Sequence, residues 1–137
     1  MRAVDTNVLI RLLTQDDPEQ FAVAKAFVAE NEVFIPVTVL LEAEWVLRRS
    51  YGFDQRRIAA ELRRLSAVPS ISVDDLEQVR QALDLVDDGL DFADALHLAR
   101  SAGCNDFVTF DAAMVRGAAS TLPPVTLLGP DNDRRET

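Results

Sequence analysis

The chain is poor in the residues on which several common chemistries depend. It has one cysteine, Cys104, one histidine, His97, and a single lysine, Lys25. One cysteine excludes an internal disulfide, which fits a reducing cytoplasm. One cysteine and one histidine leave no Cys/His spacing for a zinc site, and no serine–histidine or cysteine–histidine arrangement stands out. No apolar run approaches the ~20 residues needed to span a bilayer, so no membrane association is expected. Met1-Arg2 leads into a short strand and then an acid. The apolar stretch and small-residue cleavage site of a signal peptide are missing, and a cytoplasmic location is expected.

Basic charge is scarce as well. The net charge is −9, which counts against a general nucleic-acid-binding surface. Thirteen of the fourteen basic residues are arginine, the better residue for forked phosphate contacts. They are also unevenly spread. Residues 48–64 carry Arg48, Arg49, Arg56, Arg57, Arg63 and Arg64 against Asp54 and Glu61, a local balance of +4. This stretch reads either as a solvated helix face or as a surface for RNA or a partner, with Arg48, Arg49, Arg56 and Arg57 as the candidate contacts.

What remains is an ordinary globular composition, 48% hydrophobic and 27% charged over 137 residues. One domain over residues 1–128 and a polar tail over 129–137 are expected. Arg2–Asp5 reads as a strand and Thr6–Thr14 as a helix. Asp17-Pro18-Glu19-Gln20 starts a second helix, with Asp as N-cap and Pro at the first helical position, ending near Asn31. Val33-Phe34-Ile35 is a strand stopped by Pro36. Thr38 is the expected cap of the next helix, which has Leu41, Glu42, Trp45 and Val46 along one side and Gly52 as its stop. Asp54 caps a fourth helix. Ile71–Val73 is a weak strand, and Asp74 to Glu77 forms a capping-box pattern for a helix closed by Gly89. Asp91 opens a helix to Ala102. Asp106–Phe110 is a strand, Asp111 starts a last helix, and Val125–Leu128 is a final strand. Strands alternating with helices predict a parallel sheet covered on both faces.

Four acids then stand out. Asp5 and Asp111 each follow a strand, and the carboxyl ends of parallel strands lie on one edge of a sheet, where ligands bind. Glu42 and Asp94 lie near helix starts, which face that edge. Each acid also has a plain structural reading. Asp5 and Asp111 suit N-caps, and Asp94 at the third helical position suits the helix dipole. Glu42 reads either as costly to bury among leucines and valines or as exposed beside Glu44. Carboxylates converging at ~5 Å repel by roughly 3 kcal/mol per pair at an effective dielectric of 20. A hard divalent cation such as Mg²⁺ or Mn²⁺ relieves that repulsion and supports water-driven phosphodiester chemistry.

Four segments, in order, resemble the PIN-domain family, and among its members the VapC-type toxins of bacterial toxin–antitoxin pairs. They are Val4-Asp5-Thr6-Asn7, Leu40-Leu41-Glu42 with Trp45-Val46-Leu47, Asp91-Phe92-Ala93-Asp94-Ala95-Leu96, and Val108-Thr109-Phe110-Asp111. The resemblance implies a Rossmann-like α/β/α sandwich with a short-stranded, mainly parallel sheet. It also implies a Mg²⁺-dependent endoribonuclease, with Mn²⁺ as a substitute. Its acidic quartet is carried over as Asp5, Glu42, Asp94 and Asp111, the catalytic and metal-holding residues. Thr6, Asn7 and Thr109 would orient carboxylates or water, with Asp91 as an additional acid. An RNA substrate, a cognate VapB-like antitoxin and a homodimer are implied as partners. Trp45 reads as core, or as part of a partner surface. His97, three residues after Asp94, reads as structural rather than as a base, and Cys104 as a small buried residue.

Two other classes compete. A phosphoaspartate enzyme needs a lysine near its acid, and a haloacid-dehalogenase-type phosphatase needs a second Asp where Asn7 stands. Lys25, in mid-helix, does not serve. A catalytically silent PIN-like module that binds RNA or protein would not need all four acids.

Overall fold

The computed structural model describes residues 1–118 and 123–129 of the chain. The expected tail, 129–137, lies outside the described residues apart from Gly129. The chain divides into two compact units, Met1–Arg80 and Gln81–Thr137. The architecture is the mixed α/β type expected from the sequence, mostly helical, with every strand pairing parallel.

The first unit holds β1 (Arg2–Ala3), α1 (Thr6–Thr14), α2 (Pro18–Glu30), β2 (Val33–Ile35), α3 (Val37–Ser50), α4 (Gln55–Ser66) and β3 (Ile71–Val73). The three strands form one ladder in the order β1-β2-β3. α5 (Leu76–Asp87) begins in this unit and continues into the second, which also holds α6 (Phe92–Ala99), β4 (Phe107–Thr109), α7 (Ala112–Gly117) and β5 (Val125–Leu127). β4 and β5 pair as a separate two-stranded ladder. The strands therefore form two ladders rather than one sheet. Asp5 follows a strand of the first and Asp111 a strand of the second.

Local sequence explains most helix starts. Asp17 accepts from the Gln20 N–H at 3.1 Å, with Pro18 opening α2. Asp54 accepts from the N–H groups of Arg56 and Arg57. Gly52 and Gly89 adopt φ values of +68° and +106°, which glycine takes at no steric cost and which end α3 and α5 as expected.

Two starts depart from expectation. Thr38 does not cap α3, because the helix already begins at Val37, after Pro36. The carboxylate of Asp74, thirty-seven residues away, accepts from the Val37 N–H at 3.3 Å, while the Asp74 N–H donates to the Ile35 carbonyl. Asp74 is thus engaged at the start of α3 rather than in a capping box for α5. Asp75 between them takes φ 51°, a conformation Asp tolerates better than most residues. α6 stops at Ala99, short of Ala102, with Arg100 as its C-cap.

The first core lies where α1 packs on α3. Leu9, Ile10, Leu40, Ala43 and Leu47 are buried there, each large aliphatic side chain contributing roughly 1.5–3 kcal/mol. The buried stripe of α3 is therefore Leu40, Ala43, Glu44 and Leu47, the i, i+3, i+4, i+7 set. Of the two readings open for Glu42 and for Trp45, the exposed one holds in each case: Glu42 is exposed, and Trp45 is 53% exposed. Glu44, at 2% exposure, is the buried glutamate, and Arg48 one turn later donates to it from Nε at 2.9 Å.

The α1–α2 turn is pinned by a polar cluster. Asp16 accepts from the Tyr51 hydroxyl at 2.7 Å, from the Thr14 hydroxyl at 2.8 Å and from Arg11 at 3.0 Å. Cys104, expected to be buried, is exposed in the turn between α6 and β4.

Candidate active site

In the first unit the two acids stand on helices that pack together. Asp5 is exposed at the end of the segment that leads from β1 into α1. Its Oδ1 accepts from the Thr6 N–H at 2.7 Å, so the capping role open from the sequence is real. Thr6 behind it is buried, and Asn7 is exposed. Asp5 and Asn7 open onto a cleft of about 580 Å³ whose floor is apolar, with Val23 and Phe27 of α2 among its lining. Glu42 lies on the second turn of α3, exposed.

In the second unit three acids share one electrostatic environment. Asp91 caps α6, accepting from the N–H groups of Ala93 and Asp94. Asp111 caps α7 through its Oδ1, which accepts from Ala113 and Met114. Its own N–H donates to the Thr109 hydroxyl at 3.0 Å, so Thr109 helps fix the backbone that presents Asp111. Asp94, half-buried on the third residue of α6, has its carboxyl pushed above the ordinary value of 3.8. Partial burial is the largest cause, followed by the negative charge of Asp91. His97 opposes the shift, and Asp111 adds to it. Asp91, from the same segment, and Asp111, from a separate one, are thus both near enough to Asp94 to act on its charge. His97 itself is exposed and faces the same charge.

A divalent cation fits these donors by their chemistry. They are hard carboxylate oxygens with no sulfur among them, which suits Mg²⁺ or Mn²⁺. The raised carboxyl of Asp94 marks a repulsion that a bound cation would relieve. Among the described residues, no group of three or more His, Cys, Asp or Glu side chains is placed to hold a metal ion.

The arginine stretch is partly committed to structure. Arg48 is engaged by Glu44, and Arg64 pairs with Glu61 at 2.8 Å. The Arg57 guanidinium stacks 3.7 Å from the Phe53 ring centroid. Arg49 and Arg56 are exposed.

Two residues have places in the structure that their sequence readings do not give. Asp74 is an acid at the carboxyl end of β3 whose role is set by a helix far away in sequence, so no local signal announced it. Phe110, immediately before Asp111, is 78% exposed. An aromatic at the end of an apolar strand reads as core until its neighbours are known. No helix among the described residues is long and apolar enough to cross a membrane. No curated protein matches the chain. A family model described as PIN domain matches residues 2–119.

Proposed function

Since the chain belongs to the PIN-domain family, a nuclease-type fold, we propose that it is a metal-dependent endoribonuclease of the VapC type, restrained by a cognate antitoxin. The observation that carries this reading is the half-buried Asp94 on α6, whose carboxyl is raised by burial and by the charges of Asp91 and Asp111. An acid kept among acids is a poor stabiliser and a good cation ligand.

In this reading Asp94 and Asp111 hold Mg²⁺ or Mn²⁺, and Asp5 and Glu42 are the other members of the acidic quartet. When bound, the cation supplies the positive charge that activates water and offsets the charge of the phosphodiester. The side chains divide the remaining work. Asp111 uses Oδ1 for its helix cap, leaving Oδ2 as the ligand oxygen. Asp5 likewise caps through Oδ1. Capping therefore fixes each carboxylate without consuming it. Thr109 steadies the Asp111 backbone, Thr6 and Asn7 flank Asp5, and Asp91 anchors the start of α6. Glu42, exposed and uncommitted to the core, positions water and receives its proton. Exposed Arg49 and Arg56 seat RNA phosphates. A homodimer and a cytoplasmic setting complete the proposal.

The test is incubation of the purified protein with total RNA in Mg²⁺ or Mn²⁺, beside Asp5→Ala and Asp94→Ala and a chelator control. Cleavage by the wild type alone supports the reading. Equal cleavage by the variants removes the site assignment. Binding of RNA without any cleavage would favour a silent module.

A further inference from the structure

Phe110 is the most exposed aromatic side chain of the chain's large hydrophobics, and it is the residue next to Asp111. The β4–β5 register pairs Thr109 with Leu127, and the Leu128 N–H donates to the Thr109 carbonyl at 2.7 Å. Continuing that register sets Phe110 opposite Leu128. Val108 stands two residues earlier, within β4, and Val108 and Leu128 are each about half exposed. Three open apolar groups along and just past the β4–β5 ladder thus offer a small platform, with the ring of Phe110 next in sequence to a proposed ligand of the cation.

Two physical points say what would cover it. The surroundings are acidic: Asp91, Asp94 and Asp111 lie in this unit, and the whole chain carries −9. Phosphate attraction by side chains is therefore weak in this unit, and contacts indifferent to charge are what its surface can add to the affinity for a nucleic acid. Stacking of a base on an aromatic ring is such a contact and tolerates any sequence. The platform is also small. Three side chains fall well short of the roughly 800 Å² per partner that a stable protein interface covers, but one ring face suits one base.

We propose that Phe110 stacks a nucleobase of the RNA substrate beside the scissile phosphate, so that stacking supplies the affinity that the acidic site cannot. This rests on the nuclease reading above and deepens it. Truncating the ring should weaken RNA binding by roughly 5- to 150-fold, the range that stacking lost on alanine substitution typically covers.

The experiment uses the full chain and a single-stranded RNA oligonucleotide, comparing wild type, Phe110→Ala and Phe110→Trp. Cleavage in Mg²⁺ gives kcat and KM, and fluorescence anisotropy with chelator gives metal-free binding. Phe110→Ala should raise KM and weaken metal-free binding by roughly 10-fold, with kcat and melting temperature little changed. Phe110→Trp should restore both. With Trp45→Phe as background, the emission of the introduced indole should be quenched on binding. An oligonucleotide lacking the stacked base should bind wild type and Phe110→Ala alike. Unchanged KM and binding in Phe110→Ala, with wild type cleaving normally, would overturn the stacking role and leave the nuclease reading standing. So would a fall in melting temperature that Phe110→Trp does not rescue, or a shift in oligomeric state, which would mark a structural or protein-contact role. If wild type neither binds nor cuts RNA, the nuclease reading has failed and stacking falls with it.

Discussion

Asp16 and Asp94 are the same side chain in opposite circumstances. Asp16, in the α1–α2 turn, is surrounded by donors. The Tyr51 hydroxyl contributes most to holding its carboxyl below the ordinary value of 3.8, followed by the Thr14 hydroxyl, with Arg11 adding to both. Asp94 has partial burial and two acids around it, and its carboxyl is pushed up. The first arrangement ties a turn to the end of α3 and favours the folded state. The second costs stability. A fold keeps such a cost when something outside the chain offsets it, and a cation does so for carboxylates. On the proposed function, the two aspartates separate what holds the molecule together from what would hold a cation.

The comparison breaks most visibly in activity. Asp94→Asn should lower RNA cleavage by at least about 100-fold, because even partners behind a metal ligand typically cost 10- to 100-fold. Asp16→Asn should leave cleavage within a few-fold of wild type, measured on the same RNA in Mg²⁺. If Asp16→Asn proved as damaging as Asp94→Asn, the division between the two regions would be false.

Stability should run the other way. Asp16→Asn and Tyr51→Phe should each lower the melting temperature slightly, and Asp94→Asn should keep or raise it when a chelator is present. A buried ion pair gives a stronger reference. Arg48→Met leaves the Glu44 carboxylate buried without its guanidinium, a loss of about 1–3 kcal/mol read by urea unfolding.

The pH dependence has opposite signs. A lowered carboxyl stabilises above its unfolded value, near 4, and that contribution fades as pH falls through the lowered folded value. The Asp16 contribution is therefore lost only below about pH 4. A raised carboxyl has no effect while it is protonated in both states. Its cost appears as pH rises from about 4 through the raised folded value. In chelator, the melting temperature of Asp94→Asn should exceed that of wild type near neutral pH and converge with it at the acid end. A constant gap across the range would show that the Asp94 effect is not one of ionisation.

What the sequence disclosed follows from how far each signal reaches. Asp17-Pro18, Asp54, Asp91 and Asp111 cap helices that begin one residue later, and a cap needs only the next three residues to be legible. The start of α3 was misread at Thr38 because its donor is satisfied by Asp74 from another strand. The buried face of α3 is left open by the sequence for a related reason. Residues 41, 42, 45 and 46 form a helical stripe, but so do 40, 43, 44 and 47, and only packing on α1 chooses between them. The i, i+4 pair Glu44 and Arg48 was the available hint. Asp5, Glu42, Asp94 and Asp111 were named from their places after strands and near helix starts. That Asp94 lies near both Asp91 and Asp111 depends on the return of the chain through β4, which no spacing encodes. Cys104 is expected inside by residue type and stands outside, and of the two readings of Trp45 the exposed one holds, since burial belongs to the neighbours and not to the residue.

The most direct test of the Asp94 environment as a cation site is thermal unfolding near pH 7 with and without Mn²⁺, for wild type and Asp94→Asn. At a concentration about 100 times the dissociation constant, binding adds roughly 2.7 kcal/mol, which for a chain of this size raises the melting temperature by roughly 8 °C. Wild type should show that rise and Asp94→Asn should lose most of it. An equal rise in both proteins, or none in wild type at saturating Mn²⁺, would contradict it.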